Sequence, residues 1–330
     1  MNSSGDLIVL LVILAIIGAA MLPRRWRGSG TAYGTARWAN ADDLRRAGML
    51  DDGDGLILGK TRDGQLIRMF RYVHLAIFSP AGGGKTVSFA TVWLMTKRLA
   101  SMVVNDLKGE LYRLTSHIRR AMGQKVIRLD PARKCGEGED GFNPLDLIGD
   151  GPECVDDCRA CAEAICPEAT GGERDPHWNE QSVNLCTVLL VFICTTLKAA
   201  ERNLVSLRTL LSQEDLCLAA LAAMREKGGV FANLAGIVEQ LQSKEEGGGW
   251  SKEGSSVFSV AHRHTAFLDS PALIRSVSKS NFDARELLKG NMTIYLIVPP
   301  HLQEAWSRWN RLVISSLIRL IGREAEQENK

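Results

Sequence analysis

No lysine or arginine occurs in Met1–Asp6, ahead of the chain's long apolar run. A cleaved secretory signal wants a basic segment at that place, so its lack argues against one. The eight cysteines show no paired secretory spacing. They read as reduced thiols of a cytosolic compartment rather than a disulfide framework. Formal net charge is only +2, which removes the global polycationic signature of a general nucleic-acid binder. No second apolar stretch is long enough to span a bilayer; Leu185 to Leu197 reads as a core helix. No nucleophile, base and orienting group stand together in the sequence.

What is present begins with Leu7 to Leu22, an uninterrupted apolar run. As a helix it spans ~24 Å, slightly short of the hydrocarbon core. Pro23-Arg24-Arg25-Trp26-Arg27 follows at once, three arginines and a tryptophan suited to a cytoplasmic membrane interface. The expected arrangement is a single-pass anchor in the inner (plasma) membrane, N-terminus out, with the bulk of the chain cytoplasmic. A signal peptide and a buried helix are the alternatives. Residues 1–30 are then anchor (span 7–22) and linker.

The chain is organised around Ser79-Pro80-Ala81-Gly82-Gly83-Gly84-Lys85-Thr86. The phosphate-binding pattern is G-x-x-x-x-G-K-[ST], and Ser79 stands in its first glycine place. Before the loop, His74 to Phe78 predicts a buried strand. After it, Thr86 to Leu99 predicts a helix ending in the cations Lys97 and Arg98. Gly82 to Gly84 let backbone N–H groups line a nest for phosphate oxygens. Lys85 would reach the β- and γ-phosphates of ATP, and the Thr86 hydroxyl would ligate Mg²⁺. Ser79 is tolerable only where the backbone does not need positive φ. The plain alternative is a glycine-rich strand–helix turn with no ligand.

Further along, a hairpin is expected around Arg62-Asp63-Gly64, and strands at Ser101 to Asp106 and Lys125 to Asp130. Strands alternating with helices predict an α/β fold with a mainly parallel sheet, and ligands of such sheets sit at the carboxyl ends of strands. Asp106 and Asp130 are placed there, although either could simply cap a loop. From Gly151 strand signals vanish until Met292. Helices are expected after Asp175-Pro176 and between a Ser212 cap and Gly228-Gly229, with a short one from Asp283 to Lys289. Met292 to Val298 is a buried strand, and Leu302, Trp306, Trp309, Val313, Leu317 and Leu320 share one face of a last helix. The layout is a nucleotide-binding domain in two parts, 31–150 and 291–330, with an all-α domain, 151–290, inserted between them. That insert holds 19 acidic against 14 basic residues, which suits protein contacts better than DNA.

Cys154, Cys158 and Cys161 have a spacing that could hold a metal cluster, with Cys166 as a fourth ligand. They also fall, with Ile165, on one stripe of a helix, where thiols act as small hydrophobes; Cys166 lies off that stripe. His177 and Glu180 share a helix face but are too few for a metal site. His262-Arg263-His264 reads as a solvated basic patch.

Several segments together resemble the TraG/TraD-type coupling proteins of conjugation and type IV secretion, relatives of the FtsK and HerA translocases. The segments are Gly34 to Ala39, Ser79 to Thr86, Val103 to Tyr112 with its D-x-K-G-E-L-Y, Phe142-Asn143-Pro144-Leu145-Asp146, and Tyr295 to Pro300. The resemblance implies a P-loop NTPase of RecA-like fold carrying an inserted all-α domain, behind an N-terminal transmembrane helix. It implies a homohexameric ATPase that uses ATP and Mg²⁺ and passes relaxase-bound DNA (the relaxosome) to the type IV secretion channel. Ser79, Gly82, Gly83, Gly84, Lys85 and Thr86 would hold the nucleotide. Asp106, Lys108 and Glu110 would lie near it or near a subunit boundary, with Asp106 and Glu110 as weak catalytic candidates. The family usually has two membrane spans; this sequence shows one. Its Walker B strand, apolar residues ending in Asp-Glu, follows the helix that closes this chain. None occurs between Ile297 and Lys330, so the sheet is expected to show open edges and the chain to read as incomplete. A non-catalytic membrane assembly factor or truncated remnant keeping the P-loop, and an FtsK/HerA-like DNA translocase, are the alternatives.

Overall fold

The computed structural model describes residues 37–71, 74–167, 176–242 and 249–328. The apolar run at Leu7 to Leu22 lies outside them. Among the described residues no helix is long and apolar enough to cross a membrane. The described residues divide into two compact units, 37–53 with 58–71, and 54–57 with those from 74 onward.

The first unit carries α1 (Ala41–Arg46). Asn40 caps it, accepting from Asp43 N–H, while the Asp43 carboxylate accepts from Asn40 N–H in return. A two-stranded ribbon is formed by β1 (Leu56–Lys60), of which Leu58 to Lys60 belong to this unit, and β2 (Leu66–Met69), turning at Gly64 with φ +84°. This is the hairpin expected around Arg62-Asp63-Gly64.

The second unit is built on a parallel sheet of three strands in the order β3 (Met102–Asn105), β5 (Met292–Leu296), β4 (Lys125–Leu129). β5 is central, and all five of its residues are buried. The period of two sends its side chains to two cores. Met292, Ile294 and Leu296 join the main helical core, while Tyr295 and the following Ile297 pack with Leu94 and Leu111 on the other face. The helix after β3, α3 (Glu110–Ala121), covers that second face.

His74 to Phe78 corrects the expected P-loop strand. The segment pairs with no strand, and Leu75 and Phe78 are exposed. An apolar run becomes a strand only where a neighbour takes its backbone hydrogen bonds. The outer edge of β3 has no neighbouring strand among the described residues either. Beside it runs an apolar groove of about 710 Å³ lined by Leu99, Val103, Leu288, Ile318 and Ile321.

Between β4 and β5 the named elements are helices and 3-10 turns, as the loss of strand signals predicts. α4 (Cys154–Ile165) packs on α5 (Pro176–Thr196), whose Leu185 to Cys194 are buried without a break. α6 (Leu204–Ser212), α7 (Glu214–Lys227), α8 (Gly229–Glu239), α9 (Lys252–Thr265) and α10 (Pro271–Val277) surround them. Ser212 ends α6 and does not cap α7. The unpredicted α6 starts at Asn203, whose side chain accepts from Val205 and Ser206 N–H. Asp283 caps a 3-10 turn, Ala284–Lys289, that Gly290 closes with φ +72°. The last helix, α11 (Ser307–Glu328), buries Trp309, Val313, Leu317 and Leu320 as its periodicity requires.

His262 to His264 is not a solvated patch. α9 turns His264 into the core, 4% exposed, where its Nδ1 faces Arg308 Nη2 at 3.2 Å. Burial first, then Arg308 and Arg263, lower its pKa from 6.5 to about 4. The folded protein therefore holds His264 neutral across a range where the unfolded chain takes up a proton. The resulting stability is present above pH 6.5 and is lost as pH falls through that value toward 4, by about 3 kcal/mol at most. Urea midpoints at pH 7 and pH 4.5 should show a smaller fall in a His264→Gln variant, which keeps an acceptor for Arg308. Equal falls in both proteins would remove His264 as the cause.

Candidate nucleotide site

The glycine loop has a separate reason for each glycine. Gly82 and Gly84 both adopt φ +77°, a conformation that side-chain-bearing residues rarely take. At Gly83 a Cβ would stand 2.0 Å from Ser79 Oγ and 3.0 Å from the Pro80 carbonyl. Ser79 fits in the first glycine place because its φ is not positive; Arg133 is the one described non-glycine residue where φ is. The Ser79 hydroxyl donates to the Gly83 carbonyl at 3.3 Å and closes the loop on itself. The Lys85 ammonium donates to the carbonyls of Ser79 and of Pro80, the latter at 3.0 Å. These two carbonyls hold the ammonium at the start of the loop.

Thr86 opens a π-helical stretch, Thr86–Ala90, that runs into α2 (Thr91–Thr96). The helix ends three residues short of the expected Leu99. Lys97 leaves it in extended conformation, and its ammonium donates to the carbonyl and carboxylate of Asp54. Trp93 Nε1 donates to the Ile57 carbonyl at 2.8 Å, a second tie on the same short helix.

The strand-end carboxylates are occupied by the backbone. Asp106, 4% exposed, accepts from Tyr112 N–H at 2.9 Å and so holds the first turn of α3. Asp130 is fully buried and accepts from the N–H groups of Lys134 and Cys135 at 3.0 and 2.7 Å. Glu110 is exposed, and its carboxylate lies 4.0 Å from Lys108 Nζ. The Phe142 to Asp146 segment is also structural. Asn143 Nδ2 donates to Asp146 and to the Arg202 carbonyl, and Phe142 stacks on Phe282 with centroids 5.9 Å apart.

Cys154, Cys158 and Cys161 are buried where α4 meets α5. Cys166 lies off that stripe, as expected, and is buried all the same. It caps α4 outside the helical repeat, which brings its Sγ to 3.9 Å from Cys186. Among the described residues no group of three or more His, Cys, Asp or Glu is placed to hold a metal ion. His177 pairs with Glu253 at 3.0 Å.

Sequence reading passed over Arg119 and Gln124 of the α3 region. The signal was there: Leu111, Thr115 and Arg119 recur every fourth residue, so the buried stripe of α3 ends in a cation.

The family model for type IV secretory system conjugative DNA transfer matches residues 37–330. The chain belongs to that family. Conjugal transfer protein TraG of Escherichia coli is 25% identical over 355 residues, covering 96% of this chain and 54% of that protein. Protein VirD4 of Agrobacterium fabrum is 27% identical over 314 residues, covering 88% and 43%. This member of the conjugative DNA transfer family thus spans about half the length of the curated relatives it matches. Among solved structures, plasmid coupling protein TrwB in complex with ADP and Mg²⁺ covers 86% of the chain and 60% of its own, at 12% identity and TM-score 0.44.

Proposed function

We propose that these residues form the nucleotide-binding part of a membrane-anchored coupling ATPase of a conjugative type IV secretion system. The observation that carries the proposal is the Ser79–Thr86 loop, where Gly82, Gly83 and Gly84 each meet a backbone or space demand that a side chain would break. A loop so shaped, with a lysine ammonium bonded to its first carbonyls and a helix starting at its end, fits the phosphates of ATP. Thr86 is the residue to ligate Mg²⁺.

Family membership and the likeness to TraG and VirD4 support the wider reading. In it the fold is that of a RecA-like P-loop NTPase with residues 151–290 as an all-α insert, and the working form is a homohexamer. Residues 7–22 anchor the protein in the inner membrane, and Arg24, Arg25 and Arg27 keep the rest cytoplasmic. The cargo is relaxase-bound DNA handed to the secretion channel.

The engagement of Asp106 and Asp130 by backbone N–H groups favours a second reading, a non-catalytic assembly factor that keeps the P-loop as a nucleotide-responsive scaffold. A Lys85→Ala strain separates the readings. Loss of DNA transfer by two or more orders of magnitude, with the protein at normal abundance, is expected for the coupling ATPase. Undiminished transfer would rule out the active role.

A further inference from the structure

Arg119 is fully buried and makes no ion pair with a carboxylate among the described residues. A buried guanidinium is costly unless its donors are all used. Here Nη1 donates to the Lys97 carbonyl, Nη2 to the Ala100 carbonyl at 2.7 Å, and Nε to Thr293 Oγ1 at 2.8 Å. The Thr293 hydroxyl in turn donates to Gln124 Oε1 at 3.3 Å. That contact orients the amide so that Gln124 Nε2 donates to the carbonyls of Arg98 at 2.8 Å and Gly290 at 3.1 Å. Three carbonyls of the 97–100 connection are therefore held by the C-terminal end of α3, and a β5 hydroxyl braces both holders.

The 97–100 connection leaves the helix that begins at the glycine loop. The other end of that helix has little to fix it, since His74 to Phe78 pairs with no strand and α2 buries only Thr91 and Leu94. We infer that Arg119, seconded by Gln124, is a positioning residue for the phosphate loop: it fixes the far end of the P-loop helix to the sheet and so sets where the loop stands. A cation at a helix C-terminus also opposes the negative end of the helix dipole, whose positive end faces the phosphates. Arg119 touches neither loop nor ligand, and its effect passes through the helix. The inference rests on the phosphate-binding reading for its function, but not for its structural half.

The test uses the full chain with Arg119→Met, Arg119→Lys and Gln124→Ala. Amide hydrogen exchange is followed at residues 86–101 without nucleotide, and affinity for Mg·ATP is measured in parallel. Arg119→Met should raise exchange at 86–101 at least tenfold while α5 keeps its protection. It should weaken Mg·ATP binding on the order of tenfold. Arg119→Lys retains a buried cation and should recover part of both losses, which a simple packing role would not give. If Arg119→Met does not fold, Gln124→Ala should shift both readouts in the same direction. Unchanged exchange at 86–101 in a folded variant overturns the clamp. Raised exchange with unchanged affinity overturns its link to the phosphate loop. If the wild type binds no Mg·ATP, the nucleotide reading fails and the exchange result alone decides the clamp.

Discussion

Gly109→Ala should destabilise the chain by about 2–5 kcal/mol. Gly109 stands at the N-terminus of α3 with φ +70°, where a Cβ costs about 1–2 kcal/mol. The added carbon would also lie 2.4 Å from Cys135 Sγ, and overpacking of that kind costs a further 1–3 kcal/mol or about that. Cys135 cannot easily retreat. Its backbone N–H is bound by Asp130, and its Sγ already rests 3.6 Å from the Gly109 carbonyl. Burial also raises the pKa of this thiol, so it stays neutral and offers no charge to rescue. The two costs separate in a double variant. Gly109→Ala with Cys135→Ala should recover the crowding part and leave the backbone part, read from urea midpoints. A Gly109→Ala protein as stable as wild type would mean the loop between β3 and α3 has room that these contacts deny.

The family segment Val103 to Tyr112 was visible in the sequence, but its chemistry was not. Gly109 is there because the turn into α3 is left-handed and pressed against Cys135. Asp106 is there because the α3 N-terminus needs an acceptor for Tyr112 N–H. Strand β5 was legible from a short run rich in β-branched and aromatic residues stopped by Pro299-Pro300, and the buried stripe of α11 from its 3.6-residue period. The glycine loop was legible for a similar reason, since few other residues survive positive φ twice in three positions. His74 to Phe78 failed because strand formation depends on a partner that local sequence does not specify. The burial of His264 and of Cys166 depended on α9 meeting α11 and on a cap turning back to α5. Both contacts are between segments distant in sequence. Arg119 was missed because a lone arginine in a helix reads as solvated unless its place in the buried stripe is noticed.

The other large effect concerns the nucleotide. Lys85 supplies the one cation bonded to the glycine loop's own carbonyls, and no other ion is bonded to those carbonyls among the described residues. Its removal should weaken Mg·ATP binding by two orders of magnitude or about that, a loss of roughly 3 kcal/mol from a charge-assisted contact to phosphate. Turnover is a separate matter. Orienting the attacking water needs a group free to do so, and a second carboxylate near Mg²⁺ helps. Asp106 and Asp130 are both committed to backbone N–H groups, so residues 31–330 alone should show no hydrolysis above the Lys85→Ala control. Hydrolysis that depends on Lys85 would mean that Asp106 or Asp130 serves the water despite these contacts, or that the exposed Glu110 does. Binding itself is decided by equilibrium titration of residues 31–330 with ATP and Mg²⁺, wild type beside Lys85→Ala. Saturable binding at one site per chain, lost on the substitution and weakened when Mg²⁺ is removed, is the predicted result. Identical curves for the two proteins, whether both bind or neither does, would contradict a phosphate site at Ser79 to Thr86.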